Sequence, residues 1–163
     1  LLNFSQEEKI KFKHSQTKAP LNPKVTIDRL EHSFRRVPYW ARYYQVSESL
    51  VQSLAERHGF EAEDILAAYL GRCSKKQTEY EILWCLEAHH AIEQTMCRTL
   101  LDFFLRRTPL FLSVKDHGQS LIPMLSKIFQ KELGLSEEAT QEQKDDIALH
   151  LKGEMNWRPT DPS

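Results

Sequence analysis

The sequence contains little glycine and no long apolar run. Five glycines among 163 residues disfavour an all-β fold, because such folds use glycine at many of their tight turns. No apolar stretch approaches the roughly 20 residues that a transmembrane helix needs. The N-terminus also lacks the apolar segment of a signal peptide. We therefore expect a globular protein without a membrane span or a signal peptide.

The sequence also lacks an excess of charge of either sign. It has 22 Lys and Arg against 23 Asp and Glu, which gives a formal net charge of −1. No global field attracts nucleic acid or acidic lipid at this charge. Aromatic residues in the segment 39–44 lie among arginines, a mixture that can stack nucleic-acid bases. We interpret the rings as core and the arginines as rim, and we expect no nucleic-acid partner. These rings are Tyr39, Trp40, Tyr43 and Tyr44.

Cysteine is scarce and irregularly spaced. The three cysteines, Cys73, Cys85 and Cys97, form an odd set without CxxC spacing. Cys85 and Cys97 fall in one predicted helix, about 18 Å apart along its axis and too far for a disulfide. We therefore expect free thiols in the reducing cytoplasm. The first residue is Leu1 rather than Met, so we interpret the chain as a processed product or an excised fragment.

Several catalytic motifs are missing. The sequence contains no GxGxxG pattern for a dinucleotide and no GxxxxGK[ST] loop for a phosphate. It has cysteines and histidines but no recognisable nucleophile elbow. We therefore predict a helical module without a self-contained active site, with no catalytic or cofactor-binding residue of its own.

The longest helical pattern lies in residues 78–108. Thr78 followed by Glu81 is a capping-box pattern, which begins a helix. Pro109 disfavours helical backbone at the residue before it, so the helix is predicted to end near Arg106. Residues at spacings of three and four share one face of this helix, namely Ile82, Leu86, His89, Ile92, Met96, Leu100 and Phe103.

These features predict an all-α fold, an irregular helical bundle of about five or six helices around one long central helix. Residues 1–24 are interpreted as a leading segment or linker, 25–153 as the helical domain and 154–163 as a tail. Thr26 and Ser47 are predicted to cap earlier helices, and Pro38 to end the first of them. Gly153 is predicted to end the last helix.

Polar residues on the predicted long helix could hold a metal ion. Cys85, His89 and Glu93 follow one another at spacings of four, so they could share a face, and their donor atoms suit zinc. Glu87 and His90 match the Glu-x-x-His pattern of di-iron bundles, which needs a second copy that this sequence lacks. We interpret His89 as a core histidine and predict no metal site.

The end of the long helix carries a charged and aromatic block, residues 99–108. Asp102 and Arg106 are four apart and can form an ion pair on a helix. Arg106 and Arg107 lie near the helix C-terminus, where cations complement its partial negative charge and can bind carboxylates or carbonyls of a neighbouring domain. From spacing alone, a solvated helix end is an equally good interpretation.

The pattern of this block is more specific than its spacing. Residues 99–108 read Thr-x-x-Asp-Phe-Phe-Leu-Arg-Arg-Thr, which resembles the end of a long helix in the C-terminal helical domain of FAD-dependent glycerol-3-phosphate dehydrogenases and oxidases. The likeness covers roughly residues 46–151, while Pro109 and residues 1–45 depart from it. Upstream similarity lies at Leu54, Arg57, His58, Gly59, Ile65, Leu66 and residues 79–81, and within the block at Thr99, Asp102, Phe103, Phe104, Leu105, Arg106, Arg107 and Thr108.

The resemblance implies a parent enzyme that oxidises glycerol 3-phosphate to dihydroxyacetone phosphate and passes electrons from FAD to quinone or oxygen. The family's flavin fingerprint and substrate-binding residues belong to an N-terminal domain, so no catalytic residue is carried over and FAD belongs to the parent. Asp102, Arg106, Arg107 and Thr108 are implied to be structural or interdomain residues. The implied partner is the flavin domain of the same polypeptide. A homo-oligomer and a peripheral contact of the parent with the inner face of the membrane stay open.

Two alternatives belong to other functional classes. The first is a standalone helical module that binds a partner helix or peptide, with no flavin domain in the native polypeptide. The second is a metal-dependent helical enzyme that uses Cys85, His89 and Glu93. It would contain stoichiometric zinc or iron after purification.

Overall fold

The structure is a computed structural model that describes residues 26–155. Within this range the chain is helical and contains no strand, which confirms the predicted all-α fold. The predicted leading segment 1–24 lies outside the described residues, as does most of the predicted tail 154–163. None of the described helices combines the length and the apolar character that crossing a membrane requires.

Short turns connect the helices. A 3₁₀ turn at Gly59–Glu61 precedes the fourth helix, another at Leu70–Arg72 follows it, and a third at Gln119–Leu121 precedes the eighth. A π-helical turn at Phe103–Arg107 continues the sixth. In chain order the helices are α1 (Ile27–Arg35), α2 (Val37–Tyr44), α3 (Glu48–His58), α4 (Ala62–Tyr69), α5 (Glu79–Gln94), α6 (Leu100–Asp102), α7 (Leu110–Ser113), α8 (Ile122–Leu133) and α9 (Glu137–Met155).

Polar side chains begin three of these helices, as the sequence predicts. Thr26 caps α1 and Ser47 caps α3 through their hydroxyl oxygens. At α5 the capping box is complete. Thr78 Oγ1 accepts a hydrogen bond from the Glu81 amide at 3.2 Å, and the Glu81 carboxylate accepts one from the Thr78 amide at 2.8 Å. These bonds satisfy amides that have no partner within the helix.

Helix α5 lies between two hydrophobic clusters. A helix that is apolar on opposite faces is buried rather than laid on a surface, and α5 separates residues from α2 to α4 on one side from residues of α6 to α9 on the other. The N-terminal cluster includes Val37, Trp40, Leu50, Val51, Leu54, Ile65, Leu66 and Leu86. The C-terminal cluster includes Trp84, Ala88, Ile92, Leu100, Phe103, Phe104, Leu125, Phe129 and Ile147.

The prediction of one continuous helix over residues 78–106 is wrong. Helix α5 ends at Gln94 after 16 residues, and the chain is non-helical until Thr99. Met96, which was predicted on the buried face, is 75% exposed and has a φ of 54°. The central helix is therefore shorter than predicted, and residues 95–99 redirect the chain towards the C-terminal cluster.

Hydrogen bonds of two threonines explain this break. The Ala91 carbonyl accepts from the amides of Thr95 and Cys97, both at 3.1 Å, and from Thr95 Oγ1 at 2.8 Å. Threonine hydroxyls compete with helical backbone bonding in this way. Thr99 then begins α6, since its Oγ1 accepts from the Asp102 amide at 3.1 Å. Cys97 consequently lies outside α5.

Three smaller predictions are also corrected. Pro38 does not end α1 but lies in the first turn of α2, where its missing N–H leaves no helical bond unmade. Gly153 does not end α9, which continues past it. Trp40 is buried as predicted, whereas Tyr39 and Tyr43 are 55% and 68% exposed. The aromatic rings of α2 are therefore only partly core.

Gly118 allows the loop before α8 to approach the π-helical turn. Its φ is 77°, and an added Cβ would lie 2.6 Å from Leu110 Cγ and 2.8 Å from Phe104 Cε1. Gly134 also has a positive φ, 64°, but nothing lies within 4 Å of its Cβ position. An added side chain would therefore strain the backbone at both positions, but would overlap with neighbouring atoms only at Gly118.

We expect Gly118→Ala to lower the free energy of unfolding by about 3 kcal/mol, because backbone strain and overpacking both contribute. Gly134→Ala should lower it by about 1 kcal/mol, because only strain contributes. Urea unfolding followed by circular dichroism measures both values. Equal losses in the two variants would contradict the steric overlap at Gly118.

Candidate functional site

The block at residues 99–108 forms α6 and the π-helical turn after it. Thr108 closes this turn, because its amide and its Oγ1 both donate to the Phe103 carbonyl, at 3.1 and 2.9 Å. Phe103 and Phe104 anchor the turn in the C-terminal cluster, where both are buried. A π-helical turn bonds residues five apart instead of four. The side chains that meet on its surface are therefore shifted by one position from those of an α-helix.

The principal ion pair of the block joins Asp102 and Arg107. Arg107 Nε donates to Asp102 Oδ2 at 2.9 Å, whereas Arg106 Nη1 lies 3.5 Å from Oδ1. The predicted Asp102–Arg106 pair is present, but it is longer than the pair with Arg107. The Arg106 side chain is 79% exposed, against 39% for Arg107 and 15% for Asp102. Arg107 thus binds within the domain, and Arg106 faces solvent.

The ion pair affects the pKa values of Asp102 and of the neighbouring Cys97. The Arg107 guanidinium holds the pKa of the Asp102 carboxyl below its ordinary value, and Cys97 and Arg106 lower it further. Burial, together with the Asp102 carboxylate, raises the pKa of the Cys97 thiol to about 12. Near neutral pH the ionised Asp102 of the block therefore lies beside the protonated thiol of Cys97.

Among residues 26–155, the three α5 residues considered as metal ligands do not form a group with donor atoms within 4.8 Å of one another. Glu93 forms an ion pair with Arg72 and accepts a hydrogen bond from the Tyr69 hydroxyl at 3.2 Å. His89 is buried, as predicted, and its ring stacks on that of Tyr69 with centroids 5.9 Å apart. Cys85 is also buried. Tyr69 therefore contacts both Glu93 and His89, without bringing the donor atoms of the three residues together.

The cysteines are free thiols, as the sequence predicts. The predicted reason is wrong for Cys97, because the break at residues 95–99 takes it off α5. Cys73 Sγ donates to the Tyr69 carbonyl at 3.7 Å. The interaction with Cys73, together with the nearby His89, lowers the pKa of Cys85 to about 6, while the interaction with Cys85 and burial raise the pKa of Cys73.

Two histidines and two glutamates meet where α3 ends against α5. Glu87 is buried, with Arg57 Nε at 2.8 Å from its Oε1 and His58 Nε2 at 3.0 Å from each carboxylate oxygen. The His58 and His90 rings meet edge to face with centroids 4.9 Å apart. Glu61, in the 3₁₀ turn after α3, completes this group. We call these four residues and Arg57 the α3–α5 cluster.

Donor atoms of His58, Glu61 and His90 all lie within 4.8 Å of one another. In residues 26–155 this is the one group of three His, Cys, Asp or Glu side chains with such a spacing. Sequence analysis considered Glu87 and His90 as metal ligands but not His58 and Glu61, because the contact depends on α3 packing against α5. The one local signal was the position of His58 and Glu61 around a helix end. Burial and the neighbouring His58 lower the pKa of His90.

In a comparison with family models, residues 29–140 match the C-terminal domain of alpha-glycerophosphate oxidase. This match defines the class of the chain, an accessory domain of flavin oxidoreductases. The chain belongs to this family, whose parent enzymes contain FAD. No individual curated protein matches the chain.

The family match extends further towards the N-terminus than the resemblance read from sequence. It includes residues 29–45, for which sequence analysis found no family pattern. These residues form most of α1 and α2. Both helices pack against α3, so their inclusion agrees with a single folded domain that begins upstream of residue 46.

We expect Asp102→Asn to lower the free energy of unfolding at neutral pH by about 1 kcal/mol, the range of a partly exposed ion pair. The pKa of Asp102 is lower in the folded state, so its contribution is present above the unfolded-state pKa and is lost as the pH falls through the folded-state pKa. The two proteins should therefore become equally stable as the pH falls well below 3.8, the ordinary aspartate pKa.

Urea unfolding at several pH values checks this expectation, with Asp146→Asn on the exposed side of α9 as the matched control. A stability difference for Asp102→Asn that stayed constant with pH would contradict the role given to the Arg107 ion pair.

Proposed function

We propose that this chain is the C-terminal accessory domain of an FAD-dependent glycerol-3-phosphate dehydrogenase. The observation that carries the proposal is the family match over residues 29–140. In this proposal the parent enzyme oxidises glycerol 3-phosphate to dihydroxyacetone phosphate, and electrons pass from FAD to quinone or oxygen. The flavin domain of the same polypeptide supplies the substrate and FAD sites, and this chain packs on it without catalysing the reaction alone.

The exposed end of the π-helical turn supports a docking role. Arg107 neutralises Asp102, so Arg106 adds a net positive charge to the surface of the turn. A guanidinium binds carboxylates and carbonyls through a planar set of donors. The hydrogen bonds of Thr108 to the Phe103 carbonyl fix the backbone that carries it. In our proposal Arg106 contacts the flavin domain, and Asp102, Arg107 and Thr108 hold the turn in place.

The free thiols support a cytoplasmic location for the parent enzyme. Cys73, Cys85 and Cys97 are all unbridged, and free cysteines are typical of reducing compartments. We therefore propose that the domain functions in the cytoplasm.

The proposal predicts the size and colour of the native polypeptide. An antibody against this domain should isolate from its source a yellow protein several hundred residues longer than this chain, because a flavin domain adds both mass and visible absorbance. Mass spectrometry and an absorbance spectrum measure this, and glycerol 3-phosphate is the first substrate to test. A colourless polypeptide of this same length would contradict the proposal and favour the standalone helical module.

We further expect Arg106→Glu to weaken binding of this chain to the flavin-containing remainder of that polypeptide by about tenfold at low ionic strength. The loss should shrink at high salt, because salt screens exposed charges. Titration calorimetry measures both. Arg106 is preferred to Arg107 for this test, because a glutamate at 107 would face Asp102 and destabilise the domain itself.

The matched control is Lys131→Glu, a charge reversal on the exposed surface of α8, which should leave the affinity unchanged. Equal affinities for Arg106→Glu and the unmodified chain would contradict a contact between Arg106 and the flavin domain.

A further inference from the structure

The α3–α5 cluster contains metal-ligating side chains that the proposed function does not use. Two are imidazoles and one is a carboxylate, and they come from α3, the following 3₁₀ turn and α5. Their donor atoms lie within 4.8 Å of one another, with His58 and His90 half-buried and Glu61 exposed. Three side chains from separate elements therefore converge on one small volume.

The hydrogen bonds of His58 decide which of its nitrogens is available to a metal ion. Its Nε2 is 3.0 Å from both oxygens of the buried Glu87. Glu87 is held in turn by Arg57, whose Nε and Nη2 lie 2.8 and 3.3 Å from its two carboxylate oxygens. Because Nε2 is occupied, Nδ1 is the nitrogen left to bind a ligand. A carboxylate on the far nitrogen is the arrangement that orients histidines bound to metal ions.

His90 offers a second nitrogen donor. Its ring packs edge to face on His58, with an angle of 73° between the ring planes. Among the described residues, neither of its ring nitrogens has a hydrogen-bond partner, although the side chain is half-buried. An imidazole nitrogen without a hydrogen bond to the protein is available to coordinate a metal ion.

The cluster is also open to solvent on one side. Glu61 and His90 line a half-open pocket of about 530 Å³, with Asp64, Tyr69 and Gln94 among the other lining residues. A metal ion at the cluster would therefore retain a coordination position for water. Nitrogen and carboxylate donors in this ratio suit zinc better than calcium or magnesium, which prefer oxygen ligands.

We propose that His58, Glu61 and His90 form a zinc site, with water from the pocket as the fourth ligand and Glu87 as the residue that orients His58. The site joins the end of α3 to the C-terminal half of α5, so zinc stabilises the folded domain by binding only when these elements are packed together. The site does not depend on the proposed function, since it lies entirely within this chain.

The test uses the 163-residue chain, stripped of metal with a chelator and titrated with Zn²⁺ by calorimetry. We expect one Zn²⁺ per chain and a higher midpoint of thermal unfolding in its presence. Co²⁺ bound in place of Zn²⁺ should give the visible absorption of a four-coordinate nitrogen and oxygen site. Uptake below one metal ion in ten chains, or a Co²⁺ spectrum of the free aqueous ion, would overturn the proposal.

Variants assign the ligands. Glu61→Gln and His90→Gln should each weaken Zn²⁺ binding at least tenfold, while His150→Gln on α9, outside the cluster, should not change it. Glu61 is exposed, so Glu61→Gln keeps the fold testable even if His90→Gln does not, and far-ultraviolet circular dichroism checks both. Zinc binding that is unchanged in a folded Glu61→Gln variant would overturn the assigned ligand set.

Discussion

The buried carboxylate of Glu87 is the interaction on which the packing of this domain depends. A single carboxylate out of contact with water is costly unless cations and donors surround it. Arg57 and His58, both from the end of α3, supply these partners, and the Arg57 guanidinium also lies 5.3 Å from the Trp84 ring centroid. Trp84 belongs to the C-terminal cluster and Leu86 to the N-terminal cluster. The Glu87 contacts therefore tie the two cores together at one point.

Much of the fold follows from local sequence patterns, but the break after Gln94 does not. The caps at Thr26, Ser47 and Thr78 are correctly predicted because each bond is made within one turn. The break after Gln94 is missed because apolar residues keep a helical spacing across it, and Thr99-x-x-Asp102, a second capping pattern, is the signal that was available. The Leu100 amide is bound by Gln143 of α9 at 2.9 Å, a distant contact that no local window contains.

The candidate site is predicted in part for a similar reason. The pairing of Asp102 with Arg106 follows from helical spacing, but the closer pairing with Arg107 follows from the π-helical turn, which periodicity does not reveal. The Glu-x-x-His spacing identifies Glu87 and His90, but the two side chains have different surroundings. Glu87 is a buried carboxylate that contacts α3, whereas His90 lines a pocket. His58 and Glu61 complete the group only through tertiary packing, so their roles could not be read from α5 alone.

The division of the interior into two clusters has a consequence for cooperativity. Each cluster covers one face of α5, so separating either half of the bundle would leave an apolar face of this helix in water. The free-energy cost of partial unfolding is therefore concentrated in α5, whichever half opens first. We therefore expect the amide protons of α5 to exchange with solvent last. We also expect the two halves of the bundle to unfold cooperatively, because both pack on this helix.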